Sequence, residues 1–299
     1  MRWLEDDRPE AVELLKQIFP RTGRAQLIGI TGNPGSGKST LTDKLIAHYR
    51  KLGKKVGVVC IDPSSPFTGG AILGDRIRMG SHATDSGVFI RSLATRGAHG
   101  GLSRATYDVV NVLDAMGYEV VLIETVGVGQ DEIDIVRLAH TNLVVVIPGL
   151  GDDIQAIKAG ILEIADIFVI NKADRPGVER TITDLRYLQS LEPEPTPWTA
   201  PILPTVATHG DGIEALTDAI LTHSQFLETN DERQKAAQRR QEHVLWALLH
   251  DRFHKVLTQQ MLRGERLEHY LTDLVNRSVD PHTIVAEIFA ALNLPTGKS

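Results

Sequence analysis

The sequence predicts an α/β fold: a doubly wound, mainly parallel sheet, with a short N-terminal helix before it and a C-terminal helical arm after it. Three observations carry that prediction. Apolar runs rich in Val, Ile and Leu recur at Gln26–Thr31, Lys55–Ile61, Gly87–Ser92, Glu119–Glu124, Asn142–Ile147, Asp166–Ile170 and Ile202–Val206, and helix-like stretches separate most of them. Continuous apolar runs of this kind mark strands buried on both faces of a parallel sheet. The first run opens directly into a glycine-rich turn and then a helix. The composition changes near Glu228, and from Asp231 to Arg263 there is neither Gly nor Pro.

Each element follows from its local pattern. Val12, Leu14, Leu15, Ile18 and Phe19 give Glu10–Phe19 an amphipathic helix that Pro20 stops. Ser39–Leu52 reads as a helix with Leu41, Leu45, Ile46 and Tyr49 on one face. In the third segment, Leu245, Leu248, Leu249, Phe253, Val256, Leu257 and Met261 recur at helical spacing. An unbroken helix over Asp231–Arg263 would be about 50 Å long, more than a small core needs. Helices at Leu267–Asn276 and Thr283–Leu292 should follow, the second with Asp280 as N-cap and Pro281 in its first turn. The expected organisation is an N-terminal helical segment (1–25), an α/β domain (26–228) and a helical arm (229–299).

Composition narrows the function. The 299 residues are 42% hydrophobic and 23% charged, the balance of an ordinary globular protein. The longest apolar runs, such as Leu143–Leu150, are far short of the ~20 residues a membrane helix needs. A net charge of −6 makes nucleic acid and anionic membrane poor partners. The single cysteine, Cys60, excludes an internal disulfide and a cysteine-based zinc cluster. The opening MRWLEDDRPE has no basic region followed by an apolar stretch, so the expected compartment is the cytoplasm. The eleven histidines are scattered; His250 and His254 form an i,i+4 pair able to share a metal, a spacing that more often reflects packing.

The chemistry lies in the turns after the strands. Gly32-Asn33-Pro34-Gly35-Ser36-Gly37-Lys38-Ser39 fits G-x-x-x-x-G-K-[ST] between a strand and a helix. Glycines let backbone N–H groups turn in around phosphate oxygens, and the helix N-terminus adds donors and partial positive charge. Lys38 supplies a point charge to the β- and γ-phosphates, and Ser39 a hydroxyl for Mg²⁺. Asn171-Lys172-Ala173-Asp174 follows a later strand. Guanine presents N1–H and an amine as adjacent donors; one carboxylate, Asp174, can accept both, whereas adenine lacks that arrangement. Glu124 ends the strand that leads into Thr125-Val126-Gly127, where a carboxylate can hold Mg²⁺ or its water and the glycine can answer to the γ-phosphate. Asp62, opening Asp62-Pro63-Ser64-Ser65-Pro66, is either part of a metal shell or a solvated turn residue. Asp75 in Gly74-Asp75-Arg76 is a weaker candidate, and Pro148–Asp153 is a glycine-hinged loop leading towards Lys158.

With these residues assembled, the chain resembles the MeaB/ArgK family of P-loop GTPases, from about Pro20 to the C-terminal helices. The marks are GNPGSGKST (Gly32–Thr40), DPSSP (Asp62–Pro66), GDR (Gly74–Arg76), TRGAHGG (Thr95–Gly101), ETVGVGQ (Glu124–Gln130), PGLGDDIQAIKAG (Pro148–Gly160) and NKAD (Asn171–Asp174). The resemblance implies a GTPase chaperone for an adenosylcobalamin-dependent acyl-CoA mutase such as methylmalonyl-CoA mutase, gating cofactor loading and protecting the mutase. It implies GTP or GDP and Mg²⁺ as bound groups. The implied nucleotide contacts are Asn33, Gly35, Ser36, Gly37, Lys38, Ser39, Thr40, Asn171, Lys172, Asp174 and the Val206-Ala207-Thr208 turn, where Val206 replaces the family's usual serine. Ser39, Asp62, Asp75 and Glu124 match metal and switch positions. Lys158 matches a lysine of a third switch loop that answers to the mutase. The family is homodimeric through helices after the G domain, which the arm fits; the segment before Pro20 is shorter than the family's usual extension. The chain has no D-x-H-x-x-G cobalamin mark, so the cofactor belongs to the partner.

The expected reaction is GTP + H₂O → GDP + phosphate, with Lys38 and Mg²⁺ covering phosphate charge and Glu124 or Asp75 orienting water. No arginine finger is evident, so slow intrinsic turnover is expected. Other readings are a metal-loading GTPase, which the lack of clustered Cys and His disfavours; a kinase that transfers the γ-phosphate, which Asp174 disfavours where ATP is the donor; and a nucleotide-dependent scaffold without turnover.

Overall fold

The computed structural model describes residues 3, 8–62, 80–82, 84–94, 101–125, 138–149, 164–191, 197–229 and 232–292. Among the described residues there are seven strands, β1 (Gln26–Gly32), β2 (Val56–Asp62), β3 (Val88–Ala94), β4 (Val120–Thr125), β5 (Thr141–Val146), β6 (Ile167–Asn171) and β7 (Ile202–Thr205). They form one sheet in the order β3-β2-β4-β1-β5-β6-β7. Every pairing between them is parallel. The doubly wound reading therefore holds, and the apolar runs lie within a residue or two of the strands. From β1 the chain works outward to β3, returns at β4, then builds β5 to β7 on the other side. The connections that leave β1 and its neighbour β4 thus run in opposite directions across the sheet, and ligands of such sheets bind beyond the carboxyl end of that switch.

Among the described residues the α-helices are α1 (Pro9–Ile18), α2 (Lys38–Lys51), α3 (Gly101–Ala115), α4 (Val178–Gln189), α5 (Ile213–Thr229), α6 (Glu232–Val256), α7 (Glu265–Val275) and α8 (Pro281–Ala291). Side chains alternate across the sheet, as a period of two requires. Ile28, Ile30, Val58 and Leu122 pack with Leu41, Leu45 and Ile46 of α2 and with Ile213, Leu216 and Ile220 of α5. Leu27, Val59, Val121 and Ile123 pack the opposite way, with Val109, Val110 and Leu113 of α3, Ala11 of α1 and Val244 of α6. Leu41, Leu45 and Ile46 are wholly buried. At about 1.5–3 kcal/mol per fully buried aliphatic side chain, they clamp α2 with its first turn at the end of β1. Asp114 of α3 secures the entry to β1 by accepting the backbone N–H groups of Gly23, Arg24 and Ala25.

By compactness the chain divides into Met1–Leu245 and Trp246–Ser299. In the second unit, Tyr270, Ile284 and Ile288 form a small core with Leu257, Leu262 and Leu274 around them. The unbroken helix expected over Asp231–Arg263 needs correction. α6 stops at Val256 and widens into a π turn, Leu257–Met261, closed by the Leu262 N–H on the Leu257 carbonyl at 2.8 Å. The wider turn brings Leu257 and Leu262 onto the same small core, and Gly264 at φ 57° ends it. Tertiary packing has overruled a uniform helical period. Asp280 caps α8 as expected, accepting from the His282 and Thr283 N–H groups at 2.9 and 3.1 Å, with Pro281 in the first turn.

Candidate functional site

The sheet register brings the site together. Ile30 of β1 and Cys60 of β2 both pair with Glu124 of β4, and Gly32 pairs with Val145 of β5. The glycine-rich loop and the Glu124 carboxylate therefore leave the sheet at the same edge. Two glycines are required there on steric grounds. A Cβ on Gly32 (φ 142°) would stand 2.1 Å from the Val145 carbonyl oxygen, and one on Gly37 (φ 92°) 2.3 Å from the Asn171 amide nitrogen. Gly37 is also the N-cap of α2 and brings no side chain to cap it. A helix start without a capping side chain, carrying the dipole's positive end, suits an anion.

Within the loop the Lys38 ammonium donates to the Gly32 and Asn33 carbonyls at 2.7 and 3.0 Å. The Ser39 hydroxyl donates to Glu124 Oε1 at 2.6 Å, and the Thr42 hydroxyl to Glu124 Oε2 at 2.7 Å. The Ser36 hydroxyl is buried with no hydrogen-bond partner among the described residues. A buried hydroxyl without a partner is costly, and a phosphate oxygen is an acceptor it could use. Hydroxyl and carboxylate oxygens are also the hard donors that Mg²⁺ takes, so Ser39 and Glu124 fit that ion.

The second loop is tied to the first. Asn171, 2% exposed at the end of β6, donates its amide to the Ser36 carbonyl at 2.8 Å. Its amide oxygen accepts from the Ala207 N–H at 3.1 Å and from the Thr205 hydroxyl at 3.3 Å. Lys172 lies in the left-handed region (φ 58°) and sends its ammonium to the Gly35 carbonyl at 2.7 Å. A lysine held there is strained, and strain of this kind persists where surrounding bonds fix it. Asp174 is exposed on the turn that follows. In the third turn, the Val206 N–H donates to the Asp211 carbonyl and the Ala207 N–H to Asn171, while Thr208 is exposed. The N–H groups of Val206 and Ala207 are thus engaged within the protein.

The structure brings Asn33, Gly35, Ser36, Gly37, Lys38, Ser39, Glu124, Asn171, Lys172, Ala207 and their turns to one edge. Thr40 is half-buried in the first turn of α2. Asp62 ends β2, whose neighbour β4 carries Glu124. Asp75 and Lys158 lie outside the described residues, as do the side chain of Asp62 and the Val126–Gln130 segment. Thr42 and the clamping role of Asn171 were missed by sequence reasoning. Thr42 could have been noticed from its spacing, one turn after Lys38 and Ser39 on the same helix. Among the described residues no group of three or more His, Cys, Asp and Glu side chains could hold a metal, and His250 packs on the Trp246 ring.

Another buried polar group, also unforeseen, lies at the far end of β5 and β6. The His223 ring, 2% exposed, lies between the Thr141 hydroxyl at 2.9 Å and the Asp166 carboxyl at 3.4 Å, with the Trp198 ring 4.7 Å away. Asp166 Oδ2 also accepts the Asn142 N–H at 2.7 Å. Burial pushes the Asp166 carboxyl up to about 7, and burial pushes the His223 imidazole down to about 4.

A parallel sheet with this loop–helix junction and a second loop clamped on it defines a P-loop nucleotide-binding protein. The model of a family described as Methylmalonyl Co-A mutase-associated GTPase MeaB matches residues 1–261. A Pyrococcus abyssi protein provisionally named a GTPase is 48% identical over 283 residues, 94% of this chain and 87% of that protein. The Escherichia coli K12 protein GTPase ArgK is 33% identical over 281 residues, 91% of this chain and 84% of that one. A solved structure described as LAO/AO transport system kinase superposes with a TM-score of 0.69 at 26% identity, covering 94% of this chain and 86% of that one. The chain belongs to the MeaB family of GTPases and is a GTP-hydrolysing P-loop protein that binds guanine nucleotides. Among the described residues no helix is long and apolar enough to cross a membrane.

Proposed function

We propose that this GTPase works with Mg²⁺ as a chaperone of an adenosylcobalamin-dependent acyl-CoA mutase, gating cofactor loading and protecting the mutase. The observation that carries the site assignment is the joint seating of Lys38, Ser39 and Glu124 at the β1 edge, with Asn171 holding the base loop against the phosphate loop. The mutase class rests on the family description.

In the proposed reaction a water oxygen bonds to the γ-phosphorus, the bond from that phosphorus to the β–γ bridging oxygen breaks, and GDP and phosphate leave. Lys38 would exchange the Gly32 and Asn33 carbonyls for β- and γ-phosphate oxygens, carrying a full charge to the place where negative charge develops. The first turn of α2 and the Ser36 hydroxyl would bind the remaining oxygens. Ser39, Glu124 and Asp62 would hold Mg²⁺, which supplies charge neutralisation across the β- and γ-phosphates. Glu124 or Asp75 would orient the water, and Lys158 would couple its loop to the mutase. Asp174 would accept both guanine donors, with Lys172 and the Val206-Ala207-Thr208 turn beside the base. The absence of an arginine finger from the sequence motifs supports slow turnover until the partner rearranges the switch loops.

The proposed organisation keeps residues 1–25, 26–228 and 229–299 as helical segment, GTPase domain and arm, in a cytoplasmic homodimer without nucleic-acid or membrane contacts. Leu267, Leu271 and Val275 support the dimer: they recur along one face of α7 at spacings of four, and Val275 is 80% exposed. The test is phosphate release with Mg²⁺, GTP against ATP, with and without such a mutase from the same organism. Slow GTP-only release accelerated by the mutase supports the proposal. GTP-only release indifferent to it removes that partner, and a phosphorylated acceptor in place of free phosphate would favour a kinase.

A further inference from the structure

We propose that Thr42 is a positioning residue for the metal site: it fixes one oxygen of Glu124 so that the other faces Ser39, and thereby sets how tightly Mg²⁺ is held with the nucleotide. The inference rests on the Mg²⁺-dependent reading above.

Thr42 is wholly buried in α2, one turn after Lys38. Its Oγ1 lies 3.0 Å from the Lys38 carbonyl and 2.7 Å from Glu124 Oε2. A helical threonine usually turns its hydroxyl back to the carbonyl four residues earlier. Here a carboxylate competes for the same proton. The charged acceptor forms the shorter and stronger bond, so the proton goes to Glu124. Valine would fill the same volume, so the hydroxyl is the part of this side chain with chemical work to do. Glu124 reaches the site on three rotatable bonds, so the hydrogen bonds to its two oxygens decide how the carboxylate is turned. With Oε2 on Thr42, Oε1 is directed at Ser39, 2.6 Å away. Partners that orient a ligating carboxylate in this way typically change metal affinity by roughly 10–100-fold when removed.

The experiment measures release of GDP carrying a fluorescent ribose substituent, as a function of Mg²⁺ concentration and in EDTA. Thr42→Val should raise the Mg²⁺ concentration for half-maximal slowing by about tenfold or more, with release in EDTA within about twofold of the unmodified protein. Thr42→Ser, which keeps the hydroxyl, should restore the original Mg²⁺ dependence. A Thr42→Val protein whose half-maximal Mg²⁺ lies within about twofold of the original overturns the inference. So does an equal change in EDTA and in Mg²⁺, the signature of a packing defect. If Thr42→Val does not fold, Thr42→Ala, which removes bulk and adds none, carries the same comparison. If GDP release from the unmodified protein ignores Mg²⁺ altogether, the metal reading itself has failed.

Discussion

Asn171→Ala tests whether one buried amide joins three loops. The substitution removes the donor to the Ser36 carbonyl and the acceptor shared by the Ala207 N–H and the Thr205 hydroxyl. Ala207 and Thr205 are each 2% exposed, so water cannot readily replace what is lost. The Thr205 hydroxyl can rotate to another acceptor; the Ala207 N–H cannot. An unsatisfied buried donor costs about 1–3 kcal/mol, and loss of a partner from the Ser36 carbonyl adds roughly 1 kcal/mol. The sum is about 2–4 kcal/mol. At about 2–4 °C per kcal/mol for a domain of this size, the midpoint should fall by roughly 5–15 °C. The assay is thermal unfolding with and without saturating GDP, and the gap should widen with GDP because the variant binds it less tightly. Asn171→Asp separates the parts: it retains an acceptor for Ala207 but sets an oxygen against the Ser36 carbonyl. A midpoint shift below about 2 °C, with GDP stabilisation unchanged, would refute the clamp.

Three other outcomes follow from the same geometry. Gly37→Ala should abolish GDP binding measured by calorimetry, since the added carbon meets the Asn171 amide and φ 92° is left-handed; near-normal binding would contradict the loop geometry. Asp114→Ala should lower stability by about 2–4 kcal/mol in urea unfolding, because the Gly23, Arg24 and Ala25 N–H groups lose a shared acceptor; a loss below about 1 kcal/mol would show that the entry to β1 is held by other contacts. The Asp166–His223 pair should leave stability nearly flat between about pH 4 and 6.5, then lower it slightly towards pH 7. The raised Asp166 contributes stability that is lost as pH rises from about 4 to 7, and the lowered His223 contributes stability that is lost as pH falls from about 6.5 to 4, so the slopes cancel where they overlap. His223→Gln should expose a falling slope over that window and Asp166→Asn a rising one, each about 1 kcal/mol per pH unit; two variants with the same sign of slope would contradict the account.

The strands were legible because a doubly covered sheet demands unbroken apolar runs, and Val120–Thr125 and Ile167–Asn171 have buried side chains throughout. The glycine-rich turn after β1 was legible because its glycines serve backbone geometry that the residue type alone reveals. The partners of Asn171 and Thr42 were not, because they are tertiary. Asn171 meets Ser36 across 135 residues and Thr42 meets Glu124 across 82, distances over which no local period operates. The Asp166–His223 pair escaped notice for the same reason: a lone aspartate before a strand and a lone histidine in a helix carry no joint signal. The end of α6 was misread because the demand that Leu257 and Leu262 share a core arises only once α7 and α8 are in place.

The central claim is that the edge beyond β1 and β6 holds a guanine nucleotide, with phosphates on the Lys38 loop and the base on Asp174. The most direct measurement is GDP and ADP affinity of the unmodified protein and of Asp174→Ala, by calorimetry at fixed Mg²⁺ and salt. Two hydrogen bonds to a charged acceptor, at about 1.5–3 kcal/mol each, predict a loss of GDP affinity of roughly 100-fold or more, with ADP binding weak and unchanged. Equal affinities for GDP and ADP in the unmodified protein, or an Asp174→Ala variant that binds GDP as tightly as before, would contradict it.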